Sequence, residues 1–352
     1  MARKNGQRLS CKRNKYTLKK TEKSDLNAVD ISLDDVFARL SEIYESGVTE
    51  LSLHDASLAS DSEKLCSLAQ KFLDCAPDMF VSVVVEPHAL TKKVIEMFSQ
   101  LYSSLEIPVR GTEKNGTLLF DKKLFSSKAA MLNSSTTVFG FEMEWAVQTG
   151  DTFRQFRDRL DFSVSLYPNH IDFPQFEKKE FCIPKSTGIY SSKDIDFSRG
   201  MAFACLVFYT YGRAVPWFLS VIKPLKISPS SFFADFEEWQ LCNNCSFESG
   251  FKPAAVAHKD IEKMQLAFIR EKYEEKKCTQ YLAAAEDLIK LNGAFSRVAE
   301  EGEESVVKTS YNPDDILSPY AYDLAQFCDN VTMEECSVRV FAASDSPDYK
   351  IL

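Results

Sequence analysis

The first half of the chain alternates between two patterns of apolar positions. Short runs that are apolar at nearly every position, such as residues 80–85 and 105–109, are typical of strands buried on both faces. Between these runs, apolar residues recur every three or four positions, as in amphipathic helices. The alternation predicts five strands, at residues 48–53, 80–85, 105–109, 137–145 and 170–176. It also predicts five helices. The first begins at Ser32, the second begins after Ser60, and the other three span residues 91–102, 124–132 and 152–166.

Strict alternation of strands and helices requires right-handed crossovers, and hence either a doubly wound sheet or a (βα) barrel. In both folds, ligands bind where the strands end and the helices begin. Polar side chains stand at these positions: His54 and Asp55 follow the first strand, Glu86 and His88 the second, and Arg110 the third. Taken singly, each is also explained by turn and cap chemistry, so only their convergence on one edge would indicate a site.

The pattern changes after a link rich in Ser, Lys and Asp at residues 186–196. Beyond this link few runs are typical of strands, and helical periodicity is found at residues 201–222, 230–240 and 257–299. Residues 300–315 resemble an acidic loop. The end of the chain is predicted to hold one helix and a short strand. We therefore predict three regions: a basic flexible tail at 1–30, the α/β region at 31–186, and a mostly helical C-terminal domain at 197–352.

Composition narrows the class of protein. With 45% hydrophobic and 26% charged residues over 352 positions, the chain is not collagen-like, of low complexity or wholly disordered. No apolar run approaches the roughly 18 residues of a membrane-spanning helix, so we expect a soluble protein with no membrane partner. Ten cysteines without an apolar signal core at the N-terminus indicate a reducing, cytoplasmic compartment.

Charge is distributed unevenly. Residues 1–20 hold eight basic side chains and no acidic one, whereas the net charge of the whole chain is −9, so the rest of the chain is strongly acidic. An acidic surface repels phosphate backbones, and a basic tail alone supplies only a weak, salt-dependent attraction. We therefore do not expect nucleic acid to be the main partner.

Two further features carry weak chemical signals. Cys242 and Cys245 form a Cys-x-x-Cys pair, but zinc needs two more ligands and no second pair stands nearby, so buried reduced thiols explain it better. His170 lies inside a predicted strand, where a hydrogen-bonded structural imidazole is the simpler interpretation. The nucleotide, hydrolase and metalloprotease signatures GxGxxG, Walker A, GxSxG and HExxH are absent from the sequence. We predict no catalytic residue and no metal ligand.

Three stretches resemble the radical S-adenosylmethionine (SAM) enzymes, in particular the bacterial branch with an N-terminal cobalamin-binding domain. Residues 50–57 (ELSLHDAS) and 81–90 (VSVVVEPHAL) resemble two of its strands with their acidic ends. The most specific stretch runs from Gly150-Asp151-Thr152 to residues 166–171 (LYPNHI), similar to a helix start followed by a strand. The resemblance implies a partial (βα) TIM-type barrel of about five parallel strands and SAM as a ligand, with Asp55, Glu86 and Glu106 near it.

The family also binds a [4Fe–4S] cluster through a CxxxCxxC motif. This sequence lacks the motif, because Lys15 and Leu18 stand four and seven residues after Cys11. The first barrel strand is also missing from the pattern before residue 31. We therefore do not expect a cluster, nor any activity of the chain alone.

Three hypotheses about function remain open, and the third is a short remnant whose fold persists without function. The leading hypothesis is a pseudoenzyme, that is, a non-catalytic binding or interaction protein on a radical-SAM-like barrel. The alternative is the catalytic half of a split radical SAM enzyme whose cluster and cobalamin half lies on another chain; an adjacent reading frame that encodes such a half would favour it. Because the sheet is predicted to begin at Val48 with an unpaired edge, we expect either a homodimer or a protein partner that donates a strand.

Overall fold

The computed structural model describes residues 16–19, 33–45, 47–176, 184–343 and 346–352. It divides the chain into two compact units. Unit 1 consists of Met1–Pro108 and Asp121–Phe141, and unit 2 consists of Val109–Phe120 and Glu142–Leu352.

Unit 1 is an α/β unit in which helices connect parallel strands. Its elements are β1 (Tyr16–Lys19), α1 (Leu33–Glu45), β2 (Glu50–His54), α2 (Ala56–Ala59), α3 (Ser62–Cys75), β3 (Phe80–Val84), α4 (Lys92–Phe98), β4 (Ser103–Pro108), α5 (Lys122–Ser134) and β7 (Val138–Glu142), whose last residue belongs to unit 2. The strands follow one another across the sheet in the order β1, β2, β3, β4, β7. The predicted α/β class is confirmed.

Local sequence explains where these helices begin. Asp61 caps α3 by accepting hydrogen bonds from two backbone N–H groups of its first turn, and Thr91 and Asp121 cap α4 and α5 by accepting one such bond each. The helices pack side by side, α1 on α3, α3 on α4 and α4 on α5. Many of their apolar residues and of those of the strands, such as Leu65 and Val81, are fully buried, and each such side chain contributes about 1.5–3 kcal/mol.

The sheet begins with a strand that the sequence pattern did not predict. Residues Tyr16–Lys19 form β1, which pairs in parallel with β2, Tyr16 opposite Leu51 and Lys19 opposite His54. The expectation that the sheet begins at Val48 is therefore wrong. Four residues between basic neighbours are too short a run to show a strand period. Because β1 lies along this edge of β2, the argument for a homodimer or a donated strand at that edge no longer holds; the oligomeric state stays a prediction. Cys11 lies outside the described residues.

Unit 2 begins with a hairpin that the sequence pattern did not predict. Strands β5 (Thr112–Lys114) and β6 (Thr117–Leu119) pair antiparallel around Asn115 and Gly116, which have φ values of 53° and 76°. Positive φ at both turn residues is typical of a two-residue hairpin loop with the sequence Asn-Gly. After α5 and β7, unit 2 continues with α6 (Phe153–Val164) and the short strand β8 (His170–Asp172), as predicted for residues 152–166 and the start of 170–176.

Helices dominate the rest of unit 2. Its further elements are α7 (Ser192–Cys205), a π-helix (Leu206–Tyr211), α8 (Phe218–Ile222), α9 (Pro229–Cys242), α10 (His258–Glu275), α11 (Leu282–Glu301), β9 (Ser305–Thr309), α12 (Pro313–Ile316), α13 (Leu324–Asn330), β10 (Cys336–Ala342) and β11 (Pro347–Ile351). The last three strands form an antiparallel sheet in the order β11, β10, β9. The loop predicted for residues 300–315 is therefore wrong in part, since β9 lies within it.

The core of these helices is aromatic. The ring of Phe208 lies 4.8 Å from that of Phe232 and 4.9 Å from that of Phe236, both edge to face, and Phe268 contacts all three rings. Such pairs add about 0.5–1.5 kcal/mol each to the free energy of burial. Among the helices in the described ranges, none is long and apolar enough to cross a membrane.

Candidate functional site

One face of the unit 1 sheet carries polar side chains across three neighbouring strands. Ser52 of β2 lies opposite Ser82 of β3, which lies opposite Ser104 of β4. Because side chains alternate along a strand, His54 and Glu106 share this face two residues further on. We call these five residues the polar face. Parallel sheets are usually apolar on both sides, so a row of three serine hydroxyl groups, of which Ser52 and Ser104 belong to buried residues, is informative.

Glu106 is the central charged group of the polar face. Its side chain is only 8% exposed, and its Oε1 atom accepts hydrogen bonds from Ser104 Oγ at 2.7 Å and Ser82 Oγ at 3.1 Å. Hydrogen bonds to a carboxylate are stronger than those between neutral groups, so the two hydroxyls fix its orientation. At Glu106, β4 is also bonded to the residue that follows β3, because the backbone oxygen of Glu106 accepts a hydrogen bond from Val85 N at 2.8 Å.

Glu86 follows β3 on the same side of the sheet. Since Val85 still bonds to β4, the alternation continues to Glu86, whose side chain therefore leaves the strand on the side of Ser82. Its backbone N–H donates to Ala59 O at 2.9 Å, which ties the end of β3 to the turn after β2. Of the residues predicted at the strand ends, Glu86 and Glu106 therefore share one face.

Asp55 occupies the turn after β2. Its Oδ1 atom accepts hydrogen bonds from the backbone N–H groups of Ser57 and Leu58 at 2.8 and 2.9 Å and from Ser57 Oγ at 2.7 Å. Asp55 thus caps α2, the turn chemistry that its position also allowed. His88 is exposed in unit 1, and Arg110 is exposed in unit 2.

The Gly-Asp-Thr stretch starts α6. Thr152 caps the helix by accepting from Gln155 N at 3.2 Å. The carboxylate of Asp151 accepts two hydrogen bonds from the Arg159 guanidinium, at 2.8 and 3.0 Å, and both side chains are almost fully buried. Gly150 has a φ of +80°, and a Cβ atom there would lie 2.7 Å from Gly116 O. Each residue of the stretch therefore has a structural role in unit 2.

His170 opens β8, two residues before Asp172. The two side chains are partly exposed, and His170 Nε2 lies 3.5 Å from Asp172 Oδ2. Sequence analysis noted His170 but did not single out Asp172, because an acidic residue at the end of a strand is common.

The Cys-x-x-Cys pair lies at the end of α9. Cys242 is exposed, and Cys245 is buried after Asn244, whose φ of 54° ends the helix, with Cys245 N donating to Gln240 O at 3.0 Å. Burial raises the pKa of the Cys245 thiol to about 11, which opposes the thiolate that metal binding or redox exchange needs. Within the described part of the chain, no cysteine belongs to a group of three or more side chains close enough to share a metal ion.

Comparison with known proteins yields little. No family model and no curated protein matches the chain. Two solved structures of the radical S-adenosylmethionine methyltransferase TsrM from Kitasatospora setae are similar to it, one with cobalamin and a [4Fe–4S] cluster and one with tryptophan and the SAM analogue aza-SAM. Each match has 10% sequence identity and a TM-score of 0.33, and covers 40% of this chain and 30% of TsrM. Similarity at this level does not assign the chain to a family.

Proposed function

We propose that the chain is a non-catalytic, radical-SAM-like protein that binds a small ligand on the polar face of unit 1. The observation that carries this proposal is Glu106, a buried carboxylate oriented by Ser82 and Ser104 on the same face as His54. Burying polar and charged groups costs free energy unless they form hydrogen bonds. A row of them in place of apolar residues weakens the core of unit 1, so binding rather than stability accounts for it.

The order of the strands supports the partial (βα) TIM-type barrel within this proposal. The strands of unit 1 follow the chain order across the sheet without reversal. Right-handed crossovers that all run in one direction place their helices on one side of a sheet, whereas a doubly wound sheet reverses direction and has helices on both sides. The neighbouring packing of α1, α3, α4 and α5 agrees with the first arrangement. A barrel binds its ligand at the carboxyl ends of its strands, and His54 and Glu106 lie at or near the ends of β2 and β4.

The chemistry of the polar face suits a cationic ligand with hydroxyl groups. A carboxylate accepts hydrogen bonds from ammonium and hydroxyl donors, and serine hydroxyls both donate and accept. SAM, the ligand implied by the sequence resemblance, carries an ammonium group, a sulfonium charge and ribose hydroxyls. Reductive cleavage of SAM in that family depends on a cluster held by three thiolates, and the sequence has no CxxxCxxC motif. We therefore expect binding without cleavage.

Isothermal titration calorimetry of the full chain with SAM tests the proposal. Glu106→Gln keeps the shape of the side chain and removes its charge, and Glu96→Gln is the matched control, because Glu96 is an exposed glutamate of the same unit. We expect binding by the wild type and the control, and affinity at least about tenfold lower for Glu106→Gln, since a hydrogen bond to a charged group contributes about 1.5–3 kcal/mol.

Two outcomes would overturn the proposal: no binding of SAM or S-adenosylhomocysteine by the wild type, or equal affinity of the wild type and Glu106→Gln. Incubation of the reduced protein with SAM tests the non-catalytic part separately. Formation of 5′-deoxyadenosine would contradict it and would favour the split enzyme whose cluster half is a second chain.

A further inference from the structure

We propose that His170 and Asp172 bind a divalent transition-metal ion at β8. The ligand atoms His170 Nε2 and Asp172 Oδ2 are 3.5 Å apart. Zinc lies about 2.0–2.2 Å from nitrogen and oxygen ligands, so two ligands at a tetrahedral angle are about 3.4 Å apart. The observed separation fits a shared ion and exceeds the range of about 2.7–3.2 Å that is usual for a hydrogen bond.

The strand that carries both side chains is fixed along both edges. Between them, Ile171 donates its N–H to Thr210 Oγ1 at 3.0 Å and accepts from the same hydroxyl through its carbonyl at 2.8 Å. On the other edge, Asp172 O accepts from Met143 N at 2.9 Å. Residues two apart on a strand face the same side, so His170 and Asp172 present their ligand atoms together. A site held in this way loses little conformational freedom when it binds an ion.

The π-helix explains how Thr210 reaches β8. A π-helix is rare, disrupts the usual helical hydrogen bonds and is found mostly at functional sites. Here Gln265 Nε2 donates to Phe208 O at 2.8 Å and to Gly212 O at 3.0 Å, which satisfies carbonyls at the end of the π-helix. Tyr209 OH donates to Pro168 O at 2.9 Å, just before β8. The π-helix therefore holds the approach to β8 as well as its middle residue.

Charge and access favour a cation. Asp172 and His170 have side chains that are 32% and 21% exposed, so an ion can reach them from solvent. An ionised aspartate supplies the negative charge that attracts a cation.

The pairing of an imidazole nitrogen with a carboxylate oxygen selects the class of ion. Imidazole suits Zn²⁺, Fe²⁺, Co²⁺ and Ni²⁺, whereas Mg²⁺ and Ca²⁺ prefer oxygen ligands alone. β8 itself supplies two ligands, fewer than the four of a closed structural zinc site. We therefore expect Zn²⁺ to compete with Co²⁺ for this site and Mg²⁺ to leave it unaffected.

This inference concerns residues of unit 2 and does not rest on the ligand proposed for the polar face. Cobalt binding and SAM binding have separate readouts and separate variants. Each proposal is therefore tested by its own measurement.

The test is a titration of the chelator-treated full chain with Co²⁺, followed by visible absorption of the bound ion. His170→Gln and Asp172→Asn each remove one ligand, and His88→Gln is the control, because His88 is exposed elsewhere. All proteins also carry Cys242→Ser, which removes the exposed thiol. We expect saturable binding by the parent and the control that Zn²⁺ displaces and excess Mg²⁺ does not.

Each ligand variant should bind cobalt at least about tenfold more weakly than the parent. Even substitution of a residue that only hydrogen-bonds to a metal ligand typically lowers metal affinity by about that factor. Circular dichroism in chelator identifies a variant that does not fold, and the other variant then decides. Equal affinity of a folded ligand variant and the parent would overturn the inference, as would the absence of cobalt binding by the parent.

Discussion

His258 and Arg297 contact each other inside unit 2, with Arg297 Nη1 3.2 Å from His258 Nδ1. The other ring nitrogen, His258 Nε2, lies 3.3 Å from Gly212 O. Because a carbonyl only accepts hydrogen bonds and a guanidinium only donates, the neutral imidazole with its proton on Nε2 satisfies both neighbours. Burial, the largest cause, together with Arg213 and Arg297 lowers the pKa of His258 to about 4.

This arrangement predicts a loss of stability in mild acid. The pKa of His258 is about 4 in the folded chain and has its ordinary value of 6.5 in the unfolded chain, so the unfolded chain binds more protons between these values. Stability is therefore lost as pH falls from 6.5 towards 4. We expect the free energy of unfolding, measured with urea, to fall by about 2 kcal/mol more in the wild type than in His258→Gln between pH 7 and pH 5.

Glutamine can donate to Gly212 and accept from Arg297 without titrating, which makes it the appropriate replacement. His88→Gln, at an exposed histidine, should keep the pH dependence of the wild type. A His258→Gln variant with the same loss between pH 7 and pH 5 as the wild type would refute the assignment.

For Asp287 we expect stability to depend on pH in the opposite direction. Its Oδ2 atom accepts from Ser310 N at 2.7 Å and Tyr311 N at 3.0 Å, whereas its buried Oδ1 atom has no hydrogen-bond partner within the described residues. Burial raises the pKa of Asp287 from 3.8 to about 6. The folded chain therefore binds more protons between these values, and stability is lost as pH rises from 3.8 to 6.

Asp287→Asn keeps the acceptor for both N–H groups and removes the buried charge. Relative to the wild type, we expect this variant to gain about 2 kcal/mol of unfolding free energy between pH 4 and pH 7. Asp329→Asn, at an exposed aspartate, should change little over the same range. A difference between Asp287→Asn and the wild type that does not vary with pH would show that Asp287 does not titrate in this window.

Asp151 and Arg159 form a buried ion pair, so we expect substitutions of the two residues to have non-additive effects on the free energy of unfolding. Removal of one partner leaves an uncompensated charge in the interior, which costs about 3–5 kcal/mol, whereas removal of both does not. In a double-mutant cycle with Asp151→Asn and Arg159→Met, the double variant should be less destabilised than the sum of the single variants. Additive losses in urea unfolding would mean that the pair is not formed.

Gly150 and Gly47 separate two effects of a side chain at positive φ. Both have φ values that disfavour other residues, +80° and +85°, but only at Gly150 does a Cβ atom meet backbone, at 2.7 Å from Gly116 O. Gly47→Ala should therefore cost about 1–2 kcal/mol of backbone strain, and Gly150→Ala should cost more. Equal losses in thermal or urea unfolding would indicate that the hairpin yields without cost.

Much of unit 1 is predictable from sequence because its strands are apolar runs between amphipathic helices. β1 was missed because four residues between basic neighbours show no period. In unit 2, the antiparallel strand β9 was missed because its five residues directly follow the acidic stretch at residues 300–304, although Asn115-Gly116 was a readable signal for the hairpin.

The candidate sites were harder to predict from the sequence than the fold of unit 1. Glu106 follows from its place near the end of a strand, but the serines of the polar face become meaningful only when the register of the strands is known. Thr210 supports β8 through a π-helix, whose spacing no helical period predicts.

Hydrogen–deuterium exchange of the full chain with and without saturating SAM tests the central claim most directly, because it locates the ligand. We predict slower exchange in the peptides that cover β3 with Glu86 and β4 with Glu106, and no change in the hairpin at residues 112–119. Unchanged exchange in β3 and β4 under conditions where calorimetry detects binding would place the ligand elsewhere and contradict the account.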